Sequence, residues 1–251
     1  METENPVREL PGRLVLLGHP VAHSLSPTFQ NAALHAAGIP LSYEAIDVAP
    51  RDLRVLLRQL KSVAAAGNVT IPHKIAVHNS CDALTDIAAR VGAVNTFWFN
   101  SGQLHGDNTD VAGFDAAARA LLGGDQQNAR IVMFGSGGAA AAVLATVEQW
   151  PNARVEKSLG DALSDANFVV NATPVGQKDD TMPLDVGMIS KSAAVMDLVY
   201  RRGGTPWVKA ARAQGNRAAD GLPMLIEQGA LSFQRWFGFE PDREAMRKSL
   251  V

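Results

Sequence analysis

The chain has one cysteine, Cys81, so no disulfide can close within it, and without a cysteine cluster a thiolate zinc site is not expected. Neither sign of charge dominates. Lys and Arg number 23 against 25 Asp and Glu, the formal net charge is −2, and no basic run stands out. That balance argues against a general nucleic-acid binder. A long apolar run is missing as well. The longest mostly apolar stretch, residues 131–147, is interrupted by Gly135-Ser136-Gly137-Gly138 and reads as strand, turn and helix rather than a membrane span. The opening Met-Glu-Thr-Glu-Asn-Pro is acidic and polar, unlike a signal peptide. There is no internal repeat and no low-complexity tract. What is present is a 47% hydrophobic complement in 251 residues, enough for one large domain or two modest ones. A cytoplasmic protein that binds neither nucleic acid nor membrane is the expectation.

Strand-like and helix-like stretches alternate along the chain. Residues 14–18, 43–48, 67–71 and 94–99 read as strands; residues 27–37, ending at Gly38, and 51–61 read as helices. Pro72 suits the first position of a further helix. After Asp110, the residues Phe114, Ala117, Ala118, Leu121 and Leu122 fall on one helical face. Gly123-Gly124-Asp125 breaks that pattern and is a candidate boundary between two lobes. Strands recur at 129–134, 168–171 and 193–200, helices at 205–214 and 222–237, and a charged tail follows. This alternation predicts an α/β protein with mostly parallel sheets.

Residues 131–134 run into Gly135-Ser136-Gly137-Gly138-Ala139-Ala140, with a helix expected over 139–149. The order strand, G-x-G-x-x-A, helix is the context in which such a turn holds a dinucleotide. The first glycine allows the tight turn, the second lets a pyrophosphate approach the backbone, and Ala140 lets helix and strand pack closely. A purely structural glycine turn is the competing reading. The ribose-reading window holds Arg154-Val155-Glu156-Lys157-Ser158. Glu156 suits a ribose diol and hence NAD; Lys157, Ser158 or Arg154 suits a 2′-phosphate and hence NADP; all of them also suit a solvated loop. The helix that should follow is absent or very short.

Two polar segments carry the chemistry: Asn68-Val69-Thr70-Ile71-Pro72-His73-Lys74 and Gly106-Asp107-Asn108-Thr109-Asp110. A lysine and a carboxylate in an enclosed site can move a proton near neutral pH. Asn68 and Thr70, two apart on a strand, would point together at the carboxyl end, where α/β sheets bind ligands. Ser24 and Ser26 have the same spacing, and Pro27 biases Ser26 toward an extended conformation. Each has a plainer alternative: Ser26 as helix cap, Lys74 as surface lysine, Asp110 as helix-start acid, Asn95 as turn amide. Gln228 shares an apolar helical face with Met224, Leu225, Leu231 and Ser232, and an amide there needs a partner.

Together these segments resemble the shikimate dehydrogenase family across nearly the whole chain. The landmarks are Gly18-His19-Pro20 with His23-Ser24-Leu25-Ser26-Pro27, residues 68–74, Gly92-Ala93-Val94-Asn95-Thr96, residues 106–110, residues 135–139, Asn171-Ala172-Thr173-Pro174-Val175-Gly176, Asp197-Leu198-Val199-Tyr200, and Asp220-Gly221-Leu222-Pro223-Met224-Leu225 leading to Gln228. The resemblance implies a two-lobed α/β enzyme. Residues 1–110, rejoined by 222–251, would form the substrate-binding lobe, and residues 111–221 a Rossmann-like lobe with a shortened adenosine region. It implies reversible oxidation of a cyclic polyol acid, shikimate, with NADP, or alternatively oxidation of shikimate or quinate with NAD. Lys74 and Asp110 would be the catalytic pair. Ser24, Ser26 and Thr70 would hold the substrate carboxylate, with Tyr200 nearby. Asn68, Asn95 and Gln228 would join the pair on the ring hydroxyls. Gly135, Ser136, Gly137, Gly138, Ala139, Thr173, Pro174, Val175, Leu198 and Gly221 would line the cofactor site. No metal is implied, and the protein would act as a monomer or homodimer. Glu156-Lys157-Ser158 stands where the family usually has Asn-Arg-Thr. That departure motivates a polyol-acid binding protein without turnover as an alternative, and a dehydrogenase of another substrate, such as a folate, as a third.

Overall fold

The computed structural model describes residues 10–156 and 162–250. The chain divides into two compact units, Met1–Thr109 with Gly229–Leu250, and Asp110–Gln228. Gly123-Gly124-Asp125, expected as a boundary, instead follows a helix inside the second unit. No helix among the described residues is long and apolar enough to cross a membrane.

The first unit contains β1 (Leu14–Gly18), α1 (Ser26–Ala36), β2 (Tyr43–Asp47), α2 (Leu53–Ser62), β3 (Ala66–Val69), α3 (Lys74–His78), β4 (Ala83–Leu84), α4 (Asp86–Val91), β5 (Thr96–Asn100) and β6 (Gln103–Asp107). Its sheet order is β2-β1-β3-β5-β6-β4. On α2, Leu53, Leu57 and Leu60 recur at helical spacing and are buried against Val15, Leu17, Phe97 and Leu104. Full burial of each such leucine is worth about 1.5–3 kcal/mol.

Most pairings are parallel, as expected, but this unit is mixed: β1 runs parallel to β2 and β3 and β4 to β6, whereas β5 is antiparallel to both β3 and β6. The reason is a hairpin that the sequence reading missed. Ser101 and Gly102 both have positive φ, 49° and 73°, which suits a two-residue turn between Asn100 and Gln103. The reversal has a consequence for the site. The amino end of β5 lies beside the carboxyl end of β3, with Thr96 paired to Asn68. β6 then brings Asp107 back to Thr96. Residues 68–70, 95–96 and 107–109 therefore gather at one end of the inner strands.

Pro72 does not open a helix. His73 N–H donates to Thr70 O at 2.9 Å, closing a turn, and α3 begins only at Lys74. Nor does Ser26 cap α1. Leu25 occupies the N-cap in a helical conformation, and Ser26 N–H donates to Ser24 Oγ at 3.2 Å. The segment from Ser24 to Ser26 is thus a turn rather than extended, because Pro27 fits within the first helical turn itself.

The second unit contains α5 (Asp110–Leu122), β7 (Arg130–Phe134), α6 (Gly138–Val147), β8 (Arg154–Glu156), α7 (Ala162–Asp165), β9 (Phe168–Asn171), β10 (Ala194–Asp197), α8 (Pro206–Gln214) and β11 (Ala218–Ala219). α9 (Leu222–Phe237) begins in this unit and ends in the first, and α10 (Arg243–Lys248) follows. The sheet order is β11-β10-β9-β7-β8, and the described pairings are all parallel. Parallel strands are covered on both faces, so they read as unbroken apolar runs. The side chains still alternate. Ile131, Met133, Phe168, Val170, Ala194 and Met196 enter one core, while Val132, Val169 and Val195 enter the other. The charged tail proves to be helical at α10, where Asp242 caps by accepting from the N–H groups of Glu244 and Ala245, each at 2.9 Å.

Candidate active site

In the first unit the candidate side chains stand on the loops at one end of the inner strands. His19 N–H donates to Ile71 O, and Thr70 N–H donates to Leu17 O, so the segments after β1 and β3 are tied together. His19 Nδ1 also lies 2.5 Å from Asp47 Oδ1, a contact that holds the Asp47 carboxyl below its usual range. Thr70 is half-buried just beyond β3, and Ser26 is buried at the start of α1. Lys74 is half-buried, and its carbonyl accepts from Val94 N–H at 3.0 Å, which places its backbone next to Asn95.

Asn95 is buried, and its amide is matched to Thr109. Its Oδ1 accepts from Thr109 N–H at 2.7 Å, and its Nδ2 lies 2.9 Å from Thr109 Oγ1. Asn68 is equally buried, with both amide ends engaged inside the fold. Its Oδ1 accepts from the Tyr43 hydroxyl at 2.8 Å, while Nδ2 lies 2.8 Å from Ser232 Oγ and 3.1 Å from Thr96 Oγ1. Burial lifts the Tyr43 hydroxyl well above its usual range, so it is a neutral donor here. Asp107, also buried, accepts from the Thr85 hydroxyl and Asn108 N–H, and Arg235 of α9 meets its other oxygen at 2.6 and 2.9 Å. These charge-assisted bonds offset the cost of burying the carboxylate.

In the second unit, Asp110 is buried at the start of α5. Gly113, one turn on, leaves room for α9: a Cβ there would lie 2.8 Å from Gln228 Cβ and 2.9 Å from its backbone nitrogen. Gln228 therefore sits against α5 one turn from Asp110. Its Nε2 donates to Leu225 O at 2.8 Å.

The cofactor candidates follow the carboxyl ends of successive parallel strands. Gly135 has φ +122° and lies so close to Ala172 that a Cβ would be 2.6 Å from its carbonyl oxygen. Only glycine suits that turn. Gly137, at the N-cap of α6, has nothing within 4 Å of where a Cβ would be. Ala140 is buried in the core below. Open room in front of a ten-residue helix whose first N–H groups need acceptors fits a pyrophosphate. The next loops are pinned by buried polar groups. Asn171 Oδ1 accepts from the N–H and hydroxyl of Thr173, and its Nδ2 donates to Asp197 at 2.8 Å. Asp197 also accepts from Val199 N–H and from the Thr205 hydroxyl that caps α8. Leu198 and Gly221 meet closely enough that a Cβ on Gly221 would fall 2.2 Å from Leu198 O. Tyr200 is half-buried three residues past the end of β10.

The adenosine region is partly resolved into roles. Arg154 is at the amino end of β8, paired with Arg130, while Glu156 is at the carboxyl end, on the side of the glycine turn. Two residues of strand separate them by about 6.6 Å, so Glu156 is the nearer of the two to the glycine turn. Lys157 and Ser158 lie outside the described residues. α7, the short helix that follows, is four residues long, in keeping with the reduction expected there. Among the described residues no group of three or more His, Cys, Asp or Glu is arranged to hold a metal ion.

Sequence reasoning did not single out Tyr43, Thr96, Thr109, Asp107 or Arg235, and it counted Ser232 only as a neighbour of Gln228. The helical face shared by Gln228 and Ser232 was the available signal.

Residues 16–97 match the family description "Shikimate dehydrogenase substrate binding domain", and residues 221–251 match "Shikimate 5'-dehydrogenase C-terminal domain". The chain is 36% identical over 256 residues to the shikimate dehydrogenase (NADP(+)) of a Chelativorans species, covering 92% of each chain. It is 34% identical to that of Geobacillus kaustophilus, covering 94% of this chain and 96% of the relative. Among solved structures, the Thermus thermophilus shikimate 5-dehydrogenase in complex with NADP(H) and shikimate superposes with a TM-score of 0.86 at 36% identity, covering 96% of this chain and 98% of that one.

Proposed function

Because the chain belongs to the shikimate dehydrogenase family, we propose that it catalyses the reversible NADP-dependent oxidation of shikimate to 3-dehydroshikimate. The observation that carries this reading is the extent of the likeness. Relatives with that activity in their names match more than nine-tenths of the chain, so both units are retained.

The proposed roles divide by ligand. Ser24, Ser26 and Thr70 hold the substrate carboxylate, with Tyr200 beside it. Asn95, Lys74, Asp110 and Gln228 hold the ring hydroxyls; Asn68, expected among them, has both amide ends engaged inside the first unit, by Tyr43, Thr96 and Ser232. The bound dinucleotide supplies a hydride acceptor for oxidation and a hydride donor for reduction. Gly135, Ser136, Gly137, Gly138 and Ala139 hold its phosphates, and Thr173, Pro174, Val175, Leu198 and Gly221 line its path. During oxidation, the proton of the reacting hydroxyl passes to the Lys74/Asp110 pair as the carbinol carbon becomes a carbonyl. During reduction, the pair returns a proton to the carbonyl oxygen.

Glu156, exposed at the carboxyl end of β8, favours a second reading for the cofactor alone. A carboxylate there accepts from a ribose diol and repels a 2′-phosphate, which points to NAD. Purified protein assayed with NADP and NAD against shikimate and quinate separates the readings. Shikimate with NADP should give the highest kcat/KM. Preference for NAD moves the assignment to the second reading, and no turnover in any of the four combinations defeats both. We place the enzyme in the cytoplasm as a monomer or homodimer, which fractionation and gel filtration can check.

A further inference from the structure

Ser232 is fully buried on α9, and no part of the proposed reaction uses it. Its hydroxyl oxygen is 2.7 Å from Thr96 Oγ1 and 3.1 Å from Thr109 Oγ1, and those two are 3.2 Å apart. The three hydroxyls form a closed triangle. The Thr96 and Thr109 hydroxyls also lie 3.1 and 3.2 Å from Asn95 Oδ1, an acceptor for their protons, so the triangle is part of a wider buried network. Asn68 donates into the triangle at Ser232, and Asn95 meets it at Thr109.

With the Asn68 amide, the triangle joins four chain segments: the end of β3, the start of β5, the segment before α5, and α9. Each carries a candidate site residue close by in sequence. Thr70 is two residues after Asn68, Asn95 directly precedes Thr96, Asp110 directly follows Thr109, and Gln228 is one helical turn before Ser232 on the same face. A hydroxyl is the only side-chain group small enough for this spot that both donates and accepts. Alanine would remove the shortest contact of both Thr96 Oγ1 and Asn68 Nδ2, leaving the amide on Asn95 O and Thr96 Oγ1 at 3.1 Å each and the threonine on Asn95 Oδ1 and Thr109, so the buried network loosens.

Resting on the shikimate dehydrogenase reading, we propose that Ser232 is a positioning residue, which through Thr96, Thr109 and the Asn68 and Asn95 amides sets the substrate-holding side chains in register. It touches no reacting atom. Its loss should therefore act on substrate handling and leave dinucleotide binding alone.

The test uses the full chain and two kinds of measurement. Ser232→Ala should lower kcat/KM for shikimate by about tenfold, the effect of losing one buried hydrogen bond, with KM for NADP changed less than about twofold. Thr96→Ser, which keeps the hydroxyl, should retain most of the wild-type value, whereas Thr96→Val, which keeps the shape, should fall as Ser232→Ala does. An unchanged KM and kcat for shikimate in Ser232→Ala, or an equal loss toward shikimate and NADP, overturns the proposal. Amide hydrogen exchange judges it independently of the substrate. The Thr109 N–H, bonded to Asn95 Oδ1, should exchange faster in Ser232→Ala than in wild type, while amides of β9 and β10 do not change. If wild-type protein oxidises no shikimate, the functional reading fails, and exchange at Thr109 still decides: unchanged protection there sinks the positioning role.

Discussion

The two units present their working groups in opposite ways. The first unit offers side chains: hydroxyls, amides and a lysine at the ends of a mixed sheet, backed by a buried polar network. Its buried carboxylate, Asp107, is met by the Arg235 guanidinium. Beyond the side chains of Asp110, Tyr200 and Gln228, the second unit offers backbone and room: a glycine turn with open space before α6, and loops held back by Asn171 and Asp197. Two of its buried carboxylates, Asp197 and Asp220, are handled differently. Asp197 is held by neutral donors, and burial pushes it above the ordinary carboxylate value, with the nearby Asp220 charge adding to the effect. Asp220 is pushed up by burial as well. A small polyol acid is recognised by converging hydroxyl and amide groups, whereas a phosphate-bearing cofactor needs backbone N–H groups that side chains do not obstruct. The difference between the units follows from that difference between ligands.

The comparison breaks most visibly at the proposed proton pair. Lys74→Ala and Asp110→Ala should each lower kcat by roughly 10²–10⁴-fold, the usual worth of general acid–base catalysis, while KM for NADP stays within a few-fold. Nicotinamide absorbance with shikimate reads this directly. A variant that keeps wild-type kcat removes its residue from the catalytic pair.

The glycine turn sharpens the contrast between room and conformation. Gly137 has φ −84° and ψ −169°, which any residue can adopt. Gly137→Val should therefore cost at most about 1 kcal/mol of stability. It should nevertheless raise KM for NADP by about tenfold or more, because the added branch fills the space before α6. Gly135→Ala should do the reverse, lowering stability by about 1–3 kcal/mol through its backbone conformation and its contact with Ala172. Denaturant titration and cofactor kinetics on both variants distinguish them. Equal effects of the two substitutions on both readouts would show that the turn is structural throughout.

The smallest effect concerns pH. Asp197 holds its proton more tightly in the folded protein than in the unfolded chain. Its contribution to stability is full below the ordinary carboxylate pKa and is lost as pH rises through the raised folded value. Asp197→Asn, which preserves shape and can still bond Asn171, Val199 and Thr205, should flatten that decline. Unfolding free energies measured across the acidic range check this, and an unchanged slope would remove Asp197 as its source.

Local pattern accounts for what was legible beforehand. The bounds of β1, β9 and α9 were read directly, because apolar runs and helical periodicity are properties of neighbouring residues. The glycine turn was legible for the same reason: strand, turn and helix are consecutive. The short adenosine region was visible as missing chain length.

The sequence by itself determined these elements and the candidate residues, each within a few positions of the chain. Tertiary structure alone decided that β5 and β6 fold back antiparallel, and that Arg154 is at the far end of its strand. It also decided that Asn68 turns its amide into the protein toward Ser232, 164 residues away. A hydrogen bond is set by distance in space, and nothing in the spacing of residues along the chain marks which buried hydroxyl will complete which amide.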